Sequence, residues 1–200
     1  MEEHYNNYDK KKKIIEKYNS SSHFYDKRYG IIQEEKYKIV LDQHKLKRTL
    51  ILDMGCGTGL FLEYIKKHLI FTKGFKINYV GVDISWNMLK EFKSKIFNYN
   101  YRIYNPNLIL SDIDWLPFRD DIFFSIFALT SFQNLPEIKH GIRELYRVSK
   151  NNAELNFSIL KKKIDLKSLL ELFKTKLKGL IVINNENLED IVIEGRLLKD

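Results

Sequence analysis

Short apolar runs and amphipathic stretches alternate along the chain from about residue 49 onward. The runs are rich in Ile, Val, Leu and Phe and predict buried strands, whereas the stretches between them carry apolar residues at helical spacing. Strands are predicted over 49–53, 78–83, 107–112, 122–130, 153–160, 179–184 and 190–197, and helices over 59–70, 85–96, 135–149 and 165–177. This alternation predicts an α/β fold, in which helices cover both faces of a doubly wound, mostly parallel sheet.

The last two predicted strands have no helical stretch between them. The segment that joins them contains the turn-forming residues Asn184, Asn185 and Asn187. Two strands joined by a tight turn pair antiparallel. The sequence therefore predicts a hairpin at the end of an otherwise parallel sheet.

The N-terminal segment, residues 1–48, is predicted to be helical and to precede a domain over 49–200, the two forming one domain overall. Its first nine residues are polar and predict a frayed start. Serines and a glycine predict breaks further along. The expected helices cover 10–18, the region of Phe24, Tyr25 and Tyr29, and 31–46, with breaks at Ser20-Ser21-Ser22 and at Gly30.

Composition narrows the function classes. No apolar run approaches the roughly 20 residues that span a bilayer, and no N-terminal apolar segment resembles a signal peptide. Cys56 is the only cysteine, which excludes an intrachain disulfide and a cysteine-based metal site, and the five histidines lack metal-ligand spacing. We therefore expect a cytoplasmic protein without a membrane span and without a metal.

The formal net charge of +8 has two interpretations. It favours an anionic partner such as nucleic acid. Alternatively, the joint abundance of Lys, Ile, Asn and Tyr reflects A/T-rich coding, and short lysine runs such as Lys161–Lys163 are solvated surface.

A glycine loop follows the first predicted strand and precedes a helix. Gly55, Gly57 and Gly59 recur at every second position, and Asp53 closes the strand before them. Such a loop lets a ligand approach bare backbone. Its spacing differs from that of dinucleotide-binding loops, and the carboxylate of Asp53 would repel a pyrophosphate but attract an ammonium or sulfonium group.

Two further acidic residues close the second and third predicted strands. Asp83 suits a bidentate hold on ribose hydroxyls, and the following Ser85 can cap the next helix. Asp112 can accept a hydrogen bond from an aromatic amino group while the backbone N–H of Ile113 donates to a ring nitrogen. The apolar residues that would hold such a ring between them are Ile84, Met88 and Ile113.

This ordered set resembles the class I S-adenosylmethionine-dependent methyltransferases. The matching segments are Leu52-Asp53-Met54-Gly55-Cys56-Gly57-Thr58-Gly59, Gly81-Val82-Asp83-Ile84-Ser85 with Met88-Leu89, and Asp112 with Leu116-Pro117-Phe118. The resemblance implies S-adenosylmethionine as cofactor and a Rossmann-like seven-stranded sheet of order 3-2-1-4-5-7-6 with strand 7 antiparallel. It also implies that residues 1–48 form a lid from which Tyr25 reaches the cofactor, the alternative being that Tyr25 and Tyr29 only pack this segment onto the domain. Cys56 is expected only to pack.

The methyl acceptor is harder to infer, because no strong general base stands near the fourth predicted strand. The candidate acceptor-binding residues are Tyr29, Gln133 and Asn134, and Asn134 could equally cap the next helix. Two subgroups of the family are most similar: quinone or small-molecule methyltransferases, and RNA-modifying enzymes that work with a small zinc-binding activator subunit. The acceptor is thus an RNA base or a small aromatic, quinone-like molecule. The alternative is a non-catalytic, cofactor-binding scaffold subunit that activates a partner enzyme.

Overall fold

The computed structural model describes residues 2–42, 50–69, 77–98 and 106–199. Seven strands and five α-helices lie in these ranges. In chain order they are α1 (Glu2–Asp42), β1 (Leu50–Met54), α2 (Leu60–Leu69), β2 (Asn78–Asp83), α3 (Trp86–Asn98), β3 (Asn107–Leu110), β4 (Phe123–Leu129), α4 (Ile138–Val148), β5 (Ser149–Leu160), α5 (Leu166–Phe173), β6 (Leu177–Ile183) and β7 (Asp190–Leu197).

The strands form one sheet in the order β3-β2-β1-β4-β5-β7-β6. Neighbours from β3 through β5 are parallel, whereas β7 runs antiparallel to both β5 and β6. The predicted order and the predicted terminal hairpin are therefore confirmed.

Two helical layers cover the sheet, because successive residues of each strand face opposite sides. On one face Leu52 and Met54 of β1 pack in a core with residues of α4 and α5. On the other face Ile51 packs in a core with residues of α1, α2 and α3. Both cores hold the carboxyl ends of the parallel strands at one edge, where α/β proteins bind their ligands.

Residues Glu2–Asp42 form one continuous helix, so the two predicted breaks are wrong. The predicted fraying of the first nine residues stays a prediction. The hydroxyls of Ser20 and Ser21 each donate to the carbonyl of Lys17 at 2.9 Å, which satisfies them without interrupting the helix. Gly30 costs about 1 kcal/mol relative to Ala within a helix. Burial of Val40 and other apolar residues of the same helix against the domain outweighs that cost. Residues 43–46 of the third predicted helix lie outside the described residues.

The α4 region also begins later than predicted. Phe132–Asn134 form a 3₁₀ turn, and α4 starts at Ile138 with Glu137 as its N-cap. Asn134 therefore does not cap this helix. No helix in the described part of the chain is both long and apolar enough to cross a bilayer.

Candidate active site

A cleft of about 710 Å³ opens at the carboxyl ends of β1, β2 and β4. It lies at the position where the strand order reverses, the usual ligand site of an open α/β sheet. Eight of the residues predicted from sequence to hold the cofactor line it: Tyr25, Gly55, Gly57, Asp83, Ile84, Met88, Asp112 and Ile113.

Asp83 is the centre of this cleft. One carboxylate oxygen accepts a hydrogen bond from the N–H of Gly57 at 2.9 Å, and the other accepts from the N–H of Ser85 at 2.8 Å. Burial raises the pKa of Asp83 to about 6, whereas these backbone donors lower it. Each oxygen keeps a further lone pair, so the carboxylate can still accept from two neighbouring hydroxyls of a ligand.

Two predicted cofactor residues, Asp53 and Gly59, do not line the cleft. Asp53 lies on the same strand face as Ile51, and its buried carboxylate accepts a hydrogen bond from the hydroxyl of Tyr79. Burial raises the pKa of Asp53 to about 7. Gly59 has φ +82° and faces the ring of Phe92. The structure thus places both residues next to the loop but outside the lining of the cleft, and their contact with the cofactor stays a prediction.

A lysine that the sequence analysis missed closes the far end of the cleft. Lys11 of α1 reaches Asp112 at 2.5 Å and Asp114 at 2.8 Å. Burial raises the pKa of Asp114, and the neighbouring ammonium of Lys11 opposes that rise. Only the fold could reveal this contact, because 101 residues separate Lys11 from Asp112.

The helix α1 is also fastened to the start of α3. The hydroxyl of Ser85 accepts from the N–H of Met88 at 3.2 Å, which confirms its predicted capping role. The same hydroxyl donates to the side-chain oxygen of Asn19 at 2.7 Å, and that oxygen also accepts from the N–H of Asn87. These contacts hold α1 across the mouth of the cleft.

A second, larger cavity lies behind α1. We name this cavity the acceptor groove. It has a volume of about 2420 Å³, including the space at its open mouth. One side is α1, and the other is formed by the carboxyl ends of β4 and β5 together with the start of β7. Tyr29 and Gln133 line only the groove. Six residues line both cavities and mark where they meet: Ile14, Tyr18, Tyr25, Thr130, Asn134 and Leu135.

A hydrogen bond joins the two sides of this meeting point, and two tyrosine rings stack beside it. The side-chain amide of Asn134 donates to the hydroxyl of Tyr18 at 2.9 Å. Tyr25 stacks at a tilt on Tyr29, with ring centroids 4.8 Å apart. Burial raises the pKa of the Tyr18 hydroxyl above its ordinary value, so this group stays protonated and can donate at neutral pH.

The walls of the groove are strongly basic. Seven basic side chains line it, against two acidic ones. Lys10, Lys13 and Lys17 recur along α1 at spacings that share a helix face, and Lys162 and Lys163 lie in the 3₁₀ turn that follows β5. The aromatic ring of Phe24, which is 70% exposed, lines the same groove.

Neither thiolate catalysis nor metal binding finds support among the described residues. The Cys56 thiol is buried in the glycine loop, and burial raises its pKa well above the ordinary value, which keeps it from acting as a thiolate nucleophile. Within the four described ranges, no group of three or more His, Cys, Asp or Glu is placed to hold a metal ion.

The cleft fits a nucleoside cofactor. A Cβ at Gly57 would meet no atom within 4 Å, so the loop leaves open space beside the acceptor oxygens of Asp83. Ile84, Met88 and Ile113 provide apolar surface near the carboxylate of Asp112, which suits an aromatic base that carries an amino group.

Comparison with known proteins agrees with this geometry. The model of the family described as "Methyltransferase domain" matches residues 51–152. The ubiquinone/menaquinone biosynthesis C-methyltransferase of Wigglesworthia glossinidia brevipalpis is 35% identical over 105 residues, which cover 52% of this chain and 40% of that protein. The chain spans about half the length of the curated relatives it matches.

Solved structures share the fold. Magnesium protoporphyrin IX methyltransferase from Synechocystis PCC 6803, with S-adenosylmethionine bound, has a TM-score of 0.71 at 16% identity over 94% of this chain and 97% of its own. The complex between the Haloferax volcanii Trm112 methyltransferase activator and a methyltransferase matches with a TM-score of 0.70 at 16% identity, over 93% of this chain and 98% of the matched one. Since the family model covers half of its length, the chain belongs to the methyltransferase domain family, and it shares the fold of solved S-adenosylmethionine-dependent methyltransferases.

Proposed function

We propose that this protein transfers a methyl group from S-adenosylmethionine to a base of RNA that enters the acceptor groove. One observation carries the proposal: a large basic groove meets the cofactor cleft at Tyr25, Thr130 and Asn134. Among the described residues the two cavities share their lining here, so an acceptor bound in the groove would reach the cleft through this meeting point.

The charge of the groove favours a polyanion. Lysines on α1 and lysines after β5 line the same groove, so a phosphodiester strand between them contacts both sets. Phe24, Tyr25 and Tyr29 add aromatic surface, and bases stack on such rings whatever their sequence.

The chain's own residues would bind and align the reactants. S-adenosylmethionine supplies an activated methyl group on a sulfonium. Asp83 would hold the ribose, and Asp112 with the backbone of Ile113 would hold the adenine. Gln133 and Asn134 would orient the acceptor, and Tyr25 with Tyr29 would exclude water from the meeting point. Proximity and orientation alone supply much of the rate of such a transfer.

A small aromatic or quinone-like acceptor is the second candidate. It is favoured by the sequence relative named as a ubiquinone/menaquinone biosynthesis C-methyltransferase and by the tyrosine rings at the meeting point. A small zinc-binding activator subunit and a cytoplasmic location also stay predictions, as does the division into a lid over 1–48 and a domain over 49–200.

The first experiment identifies the acceptor class. The protein is incubated with methyl-labelled S-adenosylmethionine in two parallel reactions, one with total RNA and the other with an organic extract of cells. Label in RNA supports the proposal, and label only in organic-extractable products establishes the small-molecule candidate. Calorimetric binding of S-adenosylhomocysteine without any labelled product, also after adding a cell lysate to provide an activator, favours the scaffold alternative.

The second experiment tests the groove. Lys162→Glu with Lys163→Glu should weaken RNA binding and, since about 0.7 counterions are released per phosphate contact on a single strand, lower the salt slope by about 1.4. The matched control is Lys174→Glu with Lys176→Glu, which makes the same charge change at exposed lysines outside the groove. If both pairs of substitutions weaken RNA binding equally, the net charge of the protein and not the groove accounts for that binding.

A further inference from the structure

A buried ion pair forms the floor of the acceptor groove. Lys36 of α1 and Asp190 of β7 are 2% and 1% exposed, and the Nζ of Lys36 lies 2.6 Å from a carboxylate oxygen of Asp190. The ammonium also donates to the side-chain oxygen of Gln33 at 3.2 Å and to the hydroxyl of Thr130. Neither charged residue belongs to a motif, and the methyl transfer described above does not use them.

This pair holds the turn that follows β4. Asp190 accepts hydrogen bonds from the hydroxyls of Thr130 at 2.7 Å and Ser158 at 2.8 Å. Thr130 has φ +56°, a left-handed conformation that costs a β-branched residue about 1–3 kcal/mol. Such a conformation persists only where its surroundings fix it, and here the ion pair and Ser158 do so.

The backbone of this turn orients the side chain of Gln133. The carbonyl of Thr130 accepts a hydrogen bond from the side-chain nitrogen of Gln133 at 2.5 Å. The amide cannot be reversed there, because its oxygen would then face the oxygen of Thr130. The side-chain oxygen of Gln133 consequently points away from Thr130, and it has no hydrogen-bond partner among the described residues although it is buried.

We infer that Lys36, Asp190 and Thr130 form a positioning relay that fixes the side-chain amide of Gln133, and that its oxygen, buried in the free protein, pairs with the methyl acceptor when the groove is filled. An amide oxygen only accepts hydrogen bonds, so the relay selects an acceptor that carries an N–H or O–H donor close to its nucleophilic atom. Leaving that oxygen unpaired costs about 1–3 kcal/mol, and such an acceptor removes the cost. The relay places the ordering of the acceptor site under the control of α1. This inference rests on the proposed function for its substrate, but not for the relay itself.

Three variants separate positioning from stability. Lys36→Met alone leaves the carboxylate of Asp190 buried without its counter-charge and should destabilise the fold. Lys36→Met with Asp190→Asn removes both charges, which is often neutral or stabilising. Thr130→Val keeps the branched shape and removes only the hydroxyl. The matched control is Lys199→Met with Asp121→Asn, which removes a solvent-accessible ion pair that lines neither cavity.

The first readout needs no ligand. In isotope-labelled protein, the side-chain amide signal of Gln133 is assigned by its loss in Gln133→Glu. We expect the Lys36/Asp190 double variant and Thr130→Val to shift this signal and speed its hydrogen exchange, whereas the Lys199/Asp121 control leaves it unchanged. An unchanged Gln133 signal in both relay variants overturns the relay.

The second readout uses methyl transfer to total RNA or to the organic extract, whichever the wild type labels. We expect the Lys36/Asp190 double variant to regain the wild-type melting temperature and S-adenosylhomocysteine affinity, yet to lose about 10- to 100-fold in kcat/KM for the acceptor, as misplacement of a reactant does. Full recovery of kcat/KM together with stability overturns the inference. If the wild type labels neither extract, the proposed function fails, while the amide signal still decides the relay.

Discussion

The substitution Gly59→Ala tests whether the third glycine of the loop binds the cofactor or packs the fold. At φ +82° an added Cβ suffers left-handed strain of about 1–2 kcal/mol. The same Cβ would overlap the ring of Phe92, which is 1% exposed and has little room to move. Overpacking of that kind costs about 1–3 kcal/mol. The two effects together predict a loss of about 2–5 kcal/mol in the free energy of unfolding.

The loss is measurable by thermal unfolding. For a chain of this size each kcal/mol lowers the melting temperature by about 2–4 °C, so we expect a decrease of roughly 4–20 °C. Where Gly59→Ala remains folded, its affinity for S-adenosylhomocysteine, measured by calorimetry, should stay near that of the wild type because Gly59 does not line the cleft.

Gly57→Ala is the matched control in the same loop. Gly57 has φ +53°, and its added Cβ would meet no protein atom within 4 Å, so only strain of about 1–2 kcal/mol is expected. That methyl group enters the cleft beside Asp83, however, and should weaken cofactor binding markedly. The reasoning is refuted if Gly59→Ala keeps wild-type stability and instead loses cofactor affinity.

Three further predictions concern buried groups. Asp53→Asn should make the free energy of unfolding less dependent on pH. Because the folded-state pKa of Asp53 is about 7, its ionised form opposes folding increasingly from about pH 4 to pH 7, by up to about 4 kcal/mol. Denaturant unfolding should therefore show a larger gain in stability for the variant at pH 8 than at pH 5. Lys11→Met should destabilise the fold by about 1–3 kcal/mol at pH 8, because Asp114 then lacks its counter-charge. The loss should shrink as the pH falls, since burial raises the pKa of Asp114 and favours its protonated form. A loss that does not depend on pH would contradict this account. Cys56 should resist iodoacetamide in the native state and react on unfolding, which mass spectrometry can follow; rapid native labelling would contradict its packing role.

The sequence predicted the sheet well because each strand carries its own local signal. Apolar runs and turn residues located the seven strands, and the hairpin followed from the asparagine-rich turn before Asp190, whereas the order of the strands came from the family resemblance. The continuity of α1 escaped the same reasoning. Serine and glycine are helix breakers on average, but at Ser20, Ser21 and Gly30 local back-bonding and tertiary packing outweigh that average tendency.

The candidate site, like the fold, was predictable where the signal is local in sequence and not where it depends on distant residues. Glycine spacing and strand-end acids located most of the cleft, since those residues act through local backbone geometry. Strand-face alternation places Asp53 on the side of the sheet where Tyr79 contacts it, a contact that the glycine-loop motif alone does not reveal. Lys11 and Lys36 could not be found in this way, because their partners Asp112 and Asp190 lie far away in sequence and meet them only in the folded chain.

The helix α1 forms a wall of both cavities, with Tyr18 and Tyr25 lining each of them. A ligand that shifts this helix in one cavity therefore changes the shape of the other. By thermodynamic linkage, the factor by which the cofactor alters acceptor affinity equals the factor by which the acceptor alters cofactor affinity. The single long helix thus makes the two binding equilibria one coupled system, and the coupling free energy can be read from either side.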